Sequence, residues 1–227
     1  MNTISTYCQS SIGRKQIVAT TGLLLILFII AHLAGNLLIY LGPEAFKNYA
    51  KKLASLRPGL YLVEVALAAV FIIHIYATTF LVLENIAARS QRYAITRIKG
   101  ERSLATRLMP YTGVYLLLFL IWHLLDFTFV DKHGPQSFLH GESYGLYGIV
   151  VNSFSDPVHS LLYVAAMMCL GLHLGHGVES FMQTFGINNP QCTPKIKAFS
   201  YWFGFLIAWG YSSIPIYVLM QYKIYSG

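Results

Sequence analysis

Charge is what this sequence has least of. Asp, Glu, Lys and Arg make up 11% of its 227 residues against 56% hydrophobic ones, and the mean hydropathy is +0.55. A soluble domain carries roughly a quarter of its residues charged, so that class is excluded and the chain is read as an integral membrane protein. As a single residue type, cysteine is scarcer still, at three residues. Cys8, Cys169 and Cys192 form no C-x-x-C pair and no C-x-x-C-H attachment site. Thiolate metal binding and covalently attached haem are thereby unsupported, and three free thiols are expected. There is no low-complexity segment, no soluble domain and no convincing repeat. No small-residue cleavage site follows the first apolar run, which is also too long for a signal peptide, so it is read as a retained helix. The net charge of +7 is assigned to topology and lipid contact at the ends of membrane segments rather than to nucleic acid.

What is abundant is long apolar runs. Residues 17–41, 60–84, 110–130, 158–182 and 198–222 can each cross a bilayer as a helix at about 1.5 Å per residue. The expected fold is all-α: one membrane domain over residues 1–227, a bundle of five transmembrane helices. With the N-terminus inside, the inner segments hold Arg14, Lys15, Arg89, Arg92, Arg97, Lys99, Arg102, Arg107, Lys195 and Lys197. The outer ones hold Lys47, Lys51, Lys52, Arg57, Lys132 and Lys223. That bias favours an N-terminus inside and a C-terminus outside. Between the first two spans, Phe46, Tyr49, Ala50 and Leu53 fall at helical spacing opposite Lys47, Lys51 and Lys52, which predicts a short helix over residues 43–55 on the outer surface. Residues 131–156, rich in Gly, Ser, Tyr and His, are read as an irregular loop. The fifth span, with Trp202, Trp209 and Pro215 but no histidine or acid, is read as a packing helix.

Each of the first four spans carries a histidine. His32 and His123 lie outward of the middle of two spans that run the same way, and His74 and His173 lie inward of the middle of two that run the opposite way. The four therefore fall on two levels, on the order of 10 Å apart by helical rise. An ionisable group in hydrocarbon is a functional-site candidate. For any single histidine the plain alternative is a hydrogen bond between helices; four at matched depths point instead to two stacked, six-coordinate haems, each with an imidazole on either side of the iron. Gly35, Gly171 and Gly175 are candidates for making room for porphyrin faces, with close helix packing as the alternative. His176 shares a face with His173 and rivals it as a ligand. His133, His140 and His159 fall in or near the outer loop and are read as surface or propionate-contacting residues.

Several segments carry a resemblance: Ser10-Ser11-Ile12-Gly13-Arg14-Lys15, His32-Leu33-Ala34-Gly35-Asn36, the run from Pro58 through Glu64 to His74, and Leu172-His173-Leu174-Gly175-His176-Gly177 followed by Ser180, Gln183, Thr184 and Gly186. In this order the chain resembles the di-haem cytochrome b membrane anchor of the succinate dehydrogenase and fumarate reductase (succinate:quinone oxidoreductase) family, over residues 10 to about 220. The resemblance implies two haem b groups, one held by His32 and His123 near the outer face and one by His74 and His173 near the inner face, where the position of Gly177 selects His173 over His176. It implies a flavoprotein subunit and an iron–sulfur subunit on the cytoplasmic side of a bacterial or archaeal membrane, with quinone, more often menaquinone, as electron partner. No succinate or fumarate active site is expected in this chain.

Quinone reduction consumes protons, so a donor or acceptor must stand within reach of the carbonyl oxygens. Glu64 and Asp126, both in the outer half, are the candidate carboxylates, with exposed interfacial acids as the alternative. Glu84 and Glu179 are read as boundary residues at the inner ends. Arg14 and Lys15 are candidate propionate partners, and the basic segment from Arg89 to Arg107 is a candidate docking surface. Two other readings are weighed against this one. One is another membrane cytochrome b, of hydrogenase or ferric-reductase type; the bc type is disfavoured because it places two ligands on each of two helices. The other is a proton or ion transporter, which predicts discontinuous helices or inverted repeats.

Overall fold

The computed structural model describes residues 6–7, 10–87, 104–187 and 189–226. Helix α1 spans Ser11–Asn36 and continues as a 3-10 turn over Leu37–Leu41; α2 is Pro43–Ser55, α3 Gly59–Ala87 and α4 Leu104–Phe127. A two-residue hairpin, β1 (Phe138–Leu139) against β2 (Glu142–Ser143), precedes α5 (Leu146–Ser155), α6 (Pro157–Thr184) and α7 (Thr193–Ser226). Helices α1, α3, α4, α6 and α7 are each long and apolar enough to cross a membrane. The chain is an all-α, multi-pass membrane protein built on a five-helix bundle. The end carrying residues 37–58 and 128–156 is called upper below, and the end carrying Arg14 and Glu84 lower.

Local chemistry sets the helix ends. Ser10 caps α1 by accepting from the Gly13 N–H at 3.1 Å, which draws Gly13, Arg14 and Lys15 into the helix ahead of the expected start at residue 17. Asp156 caps α6 in the same way through the Val158 N–H, with Pro157 at the first helical position, where its missing N–H costs nothing. The α4 helix stops at Phe127 rather than 130 because the Thr128 and Phe129 N–H groups both turn onto the Leu124 carbonyl at 2.9 Å. At its other end it starts at Leu104, with Pro110 inside it.

Helix α2 has the predicted bounds, buries Phe46 and sets Tyr49 over Gly35. The 131–156 stretch differs from the expected loop. Its second half is α5, because Ile149, Val150 and Phe154 find a core to enter. Gly148 lies so close under the Ser137 carbonyl that no Cβ would fit. The upper end is thereby sealed by a packed cluster of Ile39, Phe46, Val150, Phe154, Tyr163, Ile214 and Val218. The inner-loop residues Arg89, Arg92, Arg97, Lys99 and Arg102, like Cys8, lie outside the described residues.

Helices α6 and α7 approach most closely. A Cβ on Gly171 would stand 2.7 Å from the Ala208 Cβ and from the Gly204 carbonyl oxygen, and a Cβ on Gly204 would meet the Gly171 carbonyl and, at 3.0 Å, the Gly175 N. Small residues four apart on both helices bring the backbones into contact where side chains cannot intervene. Gly204→Ala should lower the thermal unfolding midpoint in detergent, with a cost of about 1–3 kcal/mol for overpacking. Gly177→Ala, with nothing within 4 Å of its Cβ position, should hold or raise it; equal midpoints for the two variants would contradict this account.

Candidate functional site

The lower half of the bundle is organised by two threonines. Thr21 on α1 places its Oγ1 3.0 Å from Nδ1 of His74 on α3, and Thr112 on α4 places its Oγ1 3.0 Å from Nδ1 of His173 on α6. Each threonine is followed by a glycine that lies beside the ring, where a Cβ would be in ordinary contact. A Cβ on Gly22 would be 3.4 Å from the His74 Cε1, and one on Gly113 would be 3.7 Å from the His173 Cε1. Of the two histidines on this face of α6, it is His173 that bonds Thr112.

In the upper half, His32 on α1 faces His123 on α4, with ring centroids 5.9 Å apart and ring planes nearly perpendicular at 88°. Phe28 stacks on His32 at 5.3 Å and Phe119 on His123 at 5.8 Å. The Tyr211 ring of α7 stands 6.1 Å from His32, and its hydroxyl donates to the Ile29 carbonyl at 2.8 Å. The His123 Nδ1 is buried with no hydrogen-bond partner.

These contacts expose a repeat where none was expected. Residues 21–33, Thr-Gly-Leu-Leu-Leu-Ile-Leu-Phe-Ile-Ile-Ala-His-Leu, match residues 112–124, Thr-Gly-Val-Tyr-Leu-Leu-Leu-Phe-Leu-Ile-Trp-His-Leu, at eight of thirteen positions. Eleven residues separate threonine from histidine in both, close to three helical turns, so the two side chains share a face about 16 Å apart along the axis. Thus α1 with α3 and α4 with α6 form two like units, each clamping its lower histidine internally and presenting its upper histidine to the other unit. The threonines, absent from the sequence-based site, were readable from this spacing.

Other expected positions fall differently. Gly35 accommodates Tyr49, and Gly171 and Gly175 accommodate α7; the glycines that lie beside imidazoles are Gly22 and Gly113. Arg14 bonds Glu84 across the lower end, joining α1 to α3, and lies over the Phe80 ring; Lys15 is exposed. His176 is half-buried one turn below His173, and His133 and His140 are exposed in the upper connection. Glu64 is half-exposed and paired with Arg57 at 3.1 Å.

Asp126 is the better enclosed of the two candidate carboxylates. Its Oδ2 accepts from the Tyr163 hydroxyl at 2.6 Å, and the Nε2 of His159 lies 3.2 Å away without hydrogen-bond alignment. His159 stacks on Tyr163 at 4.9 Å, and Tyr163 in turn stands 6.1 Å from His123. His159, expected near the surface, is part of a partly buried acid–imidazole–phenol group in which Tyr163 is the buried member. It borders a cavity of about 440 Å³ together with Asp126, Gln136, Asn152 and Asp156. Among the described residues no three His, Cys, Asp or Glu side chains gather to hold a bare metal ion.

No protein-family model matches the chain, and neither a curated protein nor a solved structure matches it. The partly buried polar group makes its own prediction. Asp126→Leu strands the Tyr163 hydroxyl and should cost about 1–3 kcal/mol, the penalty of an unsatisfied buried polar group. Asp126→Asn keeps a carbonyl acceptor and should cost well under that. Thermal unfolding of both variants in detergent checks the difference, and equal losses would show that the tyrosine bond contributes nothing.

Proposed function

We propose that this chain is the membrane anchor and electron-carrying subunit of a succinate:quinone oxidoreductase, with two b haems held by His32 with His123 and by His74 with His173. The observation carrying this reading is that four histidines from four helices resolve into two groups on two levels, one from each like unit at each level. The donor set fits such a group. Metal–imidazole bonds of about 2 Å on both sides of one ion bring ring centroids to about 6 Å, the spacing found between His32 and His123. In the lower pair Nδ1 is engaged by threonine, which leaves Nε2 for a metal.

Haem held by these histidine pairs would supply one-electron transfer. The apolar helices around the pairs exclude water. Arg14 and Glu84 tie α1 to α3 below the lower pair, and Phe28 and Phe119 hold the upper imidazoles in orientation. Quinone chemistry is assigned to the upper cavity, whose volume lies in the range of small-molecule sites. There Asp126 and His159 hold and pass protons, while Glu64, committed to Arg57 at a half-exposed position, is the weaker candidate.

The partners of this reading are a flavoprotein and an iron–sulfur subunit on the cytoplasmic face of a bacterial or archaeal membrane, at the lower end. Electrons crossing between levels move through the membrane field, about 2.3 kcal/mol per charge per 100 mV. That coupling favours assignment to a low-potential acceptor such as menaquinone. Against the transporter alternative stands that no spanning helix among the described residues is split into half-helices.

Haem quantitation and a reduced-minus-oxidised spectrum on the complex should give two non-covalent haems per chain. His32→Ala or His123→Ala should remove one, His74→Ala or His173→Ala the other, and His176→Ala neither. A chain without haem would sink the reading, and loss at His176 instead of His173 would reassign the ligand.

A further inference from the structure

We propose that Thr21 and Thr112 are positioning residues for the lower histidine pair, each holding its imidazole in the tautomer protonated on Nδ1 and so presenting Nε2 as a bare lone pair. This rests on the di-haem reading and adds to it how two of the four ligands are aimed and why the two levels are unequal.

A threonine hydroxyl has one proton and two lone pairs. In Thr21 the proton goes to the Ile17 carbonyl at 2.7 Å, with the Val18 carbonyl at 3.1 Å sharing it; in Thr112 it goes to the Met109 carbonyl at 3.0 Å. What faces each imidazole is therefore a lone pair, 3.0 Å from Nδ1. An acceptor at that distance requires a proton on Nδ1. In a neutral imidazole this leaves Nε2 as the acceptor or metal-binding nitrogen. A glycine follows each threonine beside the ring. Both devices occur twice, once per unit, which sets them apart from a single fortuitous contact.

The upper pair is built without them. Phenylalanines flank its rings, and the His123 Nδ1 has no hydrogen-bond partner. A hydrogen bond donated from the far nitrogen raises the basicity of an imidazole ligand and fixes its orientation. A more basic ligand favours ferric over ferrous iron. The two hydroxyls thus hold the lower site at a lower potential than the same histidines would have without them.

The test uses Thr21→Val and Thr112→Val in the whole complex, each beside its serine counterpart, read by redox titration of the haem absorbance and by electron paramagnetic resonance of the ferric haems. Each valine variant should raise the midpoint potential of one haem and shift its low-spin signal, leaving the other haem unchanged. The double valine variant should shift that same haem further, and serine, which keeps the acceptor lone pair, should restore both values. Loss of one haem in a valine variant with retention in the serine variant also supports positioning. Unchanged potentials and signals in the valine variants, a shift of both haems, or equal effects of valine and serine would overturn it. In those cases two haems in the unmodified protein would leave the di-haem reading standing, whereas absence of haem there would remove that reading itself.

Discussion

A polar nitrogen left unpaired inside hydrocarbon is costly, and this bundle carries the imidazoles of His32, His74, His123 and His173 on its spanning helices. Leaving one such group unsatisfied costs on the order of 1–3 kcal/mol, so the helices are arranged around the partners that histidine needs. At the lower level the partner is a threonine on the neighbouring helix, whose own proton is already committed to its backbone. At the upper level two imidazoles confront one another between phenylalanine rings. The eleven-residue interval lets one helix face serve both levels, because three turns return a side chain to nearly the same azimuth.

The fifth spanning helix completes the arrangement without contributing a histidine. Its glycine and alanine positions seat it directly on the backbone of α6. It also brings Tyr211 against His32 and anchors that tyrosine on the Ile29 carbonyl. Close backbone contact gives a membrane bundle the packing that water-driven burial cannot supply within lipid. Helix α6 is therefore held on one side by α7 and on the other by the Thr112–His173 bond, and the histidine's position follows from both.

The two ends of the bundle are built differently, and the function proposed follows from that difference. The upper end is closed by α2, α5 and an aromatic cluster reaching from Phe46 to Val218. Directly below this lid, Asp126, Tyr163 and His159 form a polar group beside an otherwise apolar bundle, with a cavity open to them. Its closeness to His123 through Tyr163 would, under the proposed function, link proton exchange to the place where electrons arrive. The lower end has no comparable lid among the described residues and is tied instead by the Arg14–Glu84 pair.

Hydropathy alone determined the five spans, and helical periodicity alone determined α2, since both depend only on which residues must avoid water. The two levels of histidine also followed from sequence, because helical rise converts position into depth. The sequence contained the Thr-Gly repeat as well, but its importance was invisible until the rings were seen resting on it. Which glycines accommodate a side chain, which accommodate another helix, and which flank an imidazole was decided by tertiary structure: Gly35, Gly171 and Gly22 are identical residues distinguished only by their neighbours. The same holds for α5, whose helix forms because a core exists to bury Ile149 and Phe154, and for His159, drawn from the expected surface to Asp126 and Tyr163. Composition and period report what a residue avoids, while the partner it meets depends on helices distant in sequence.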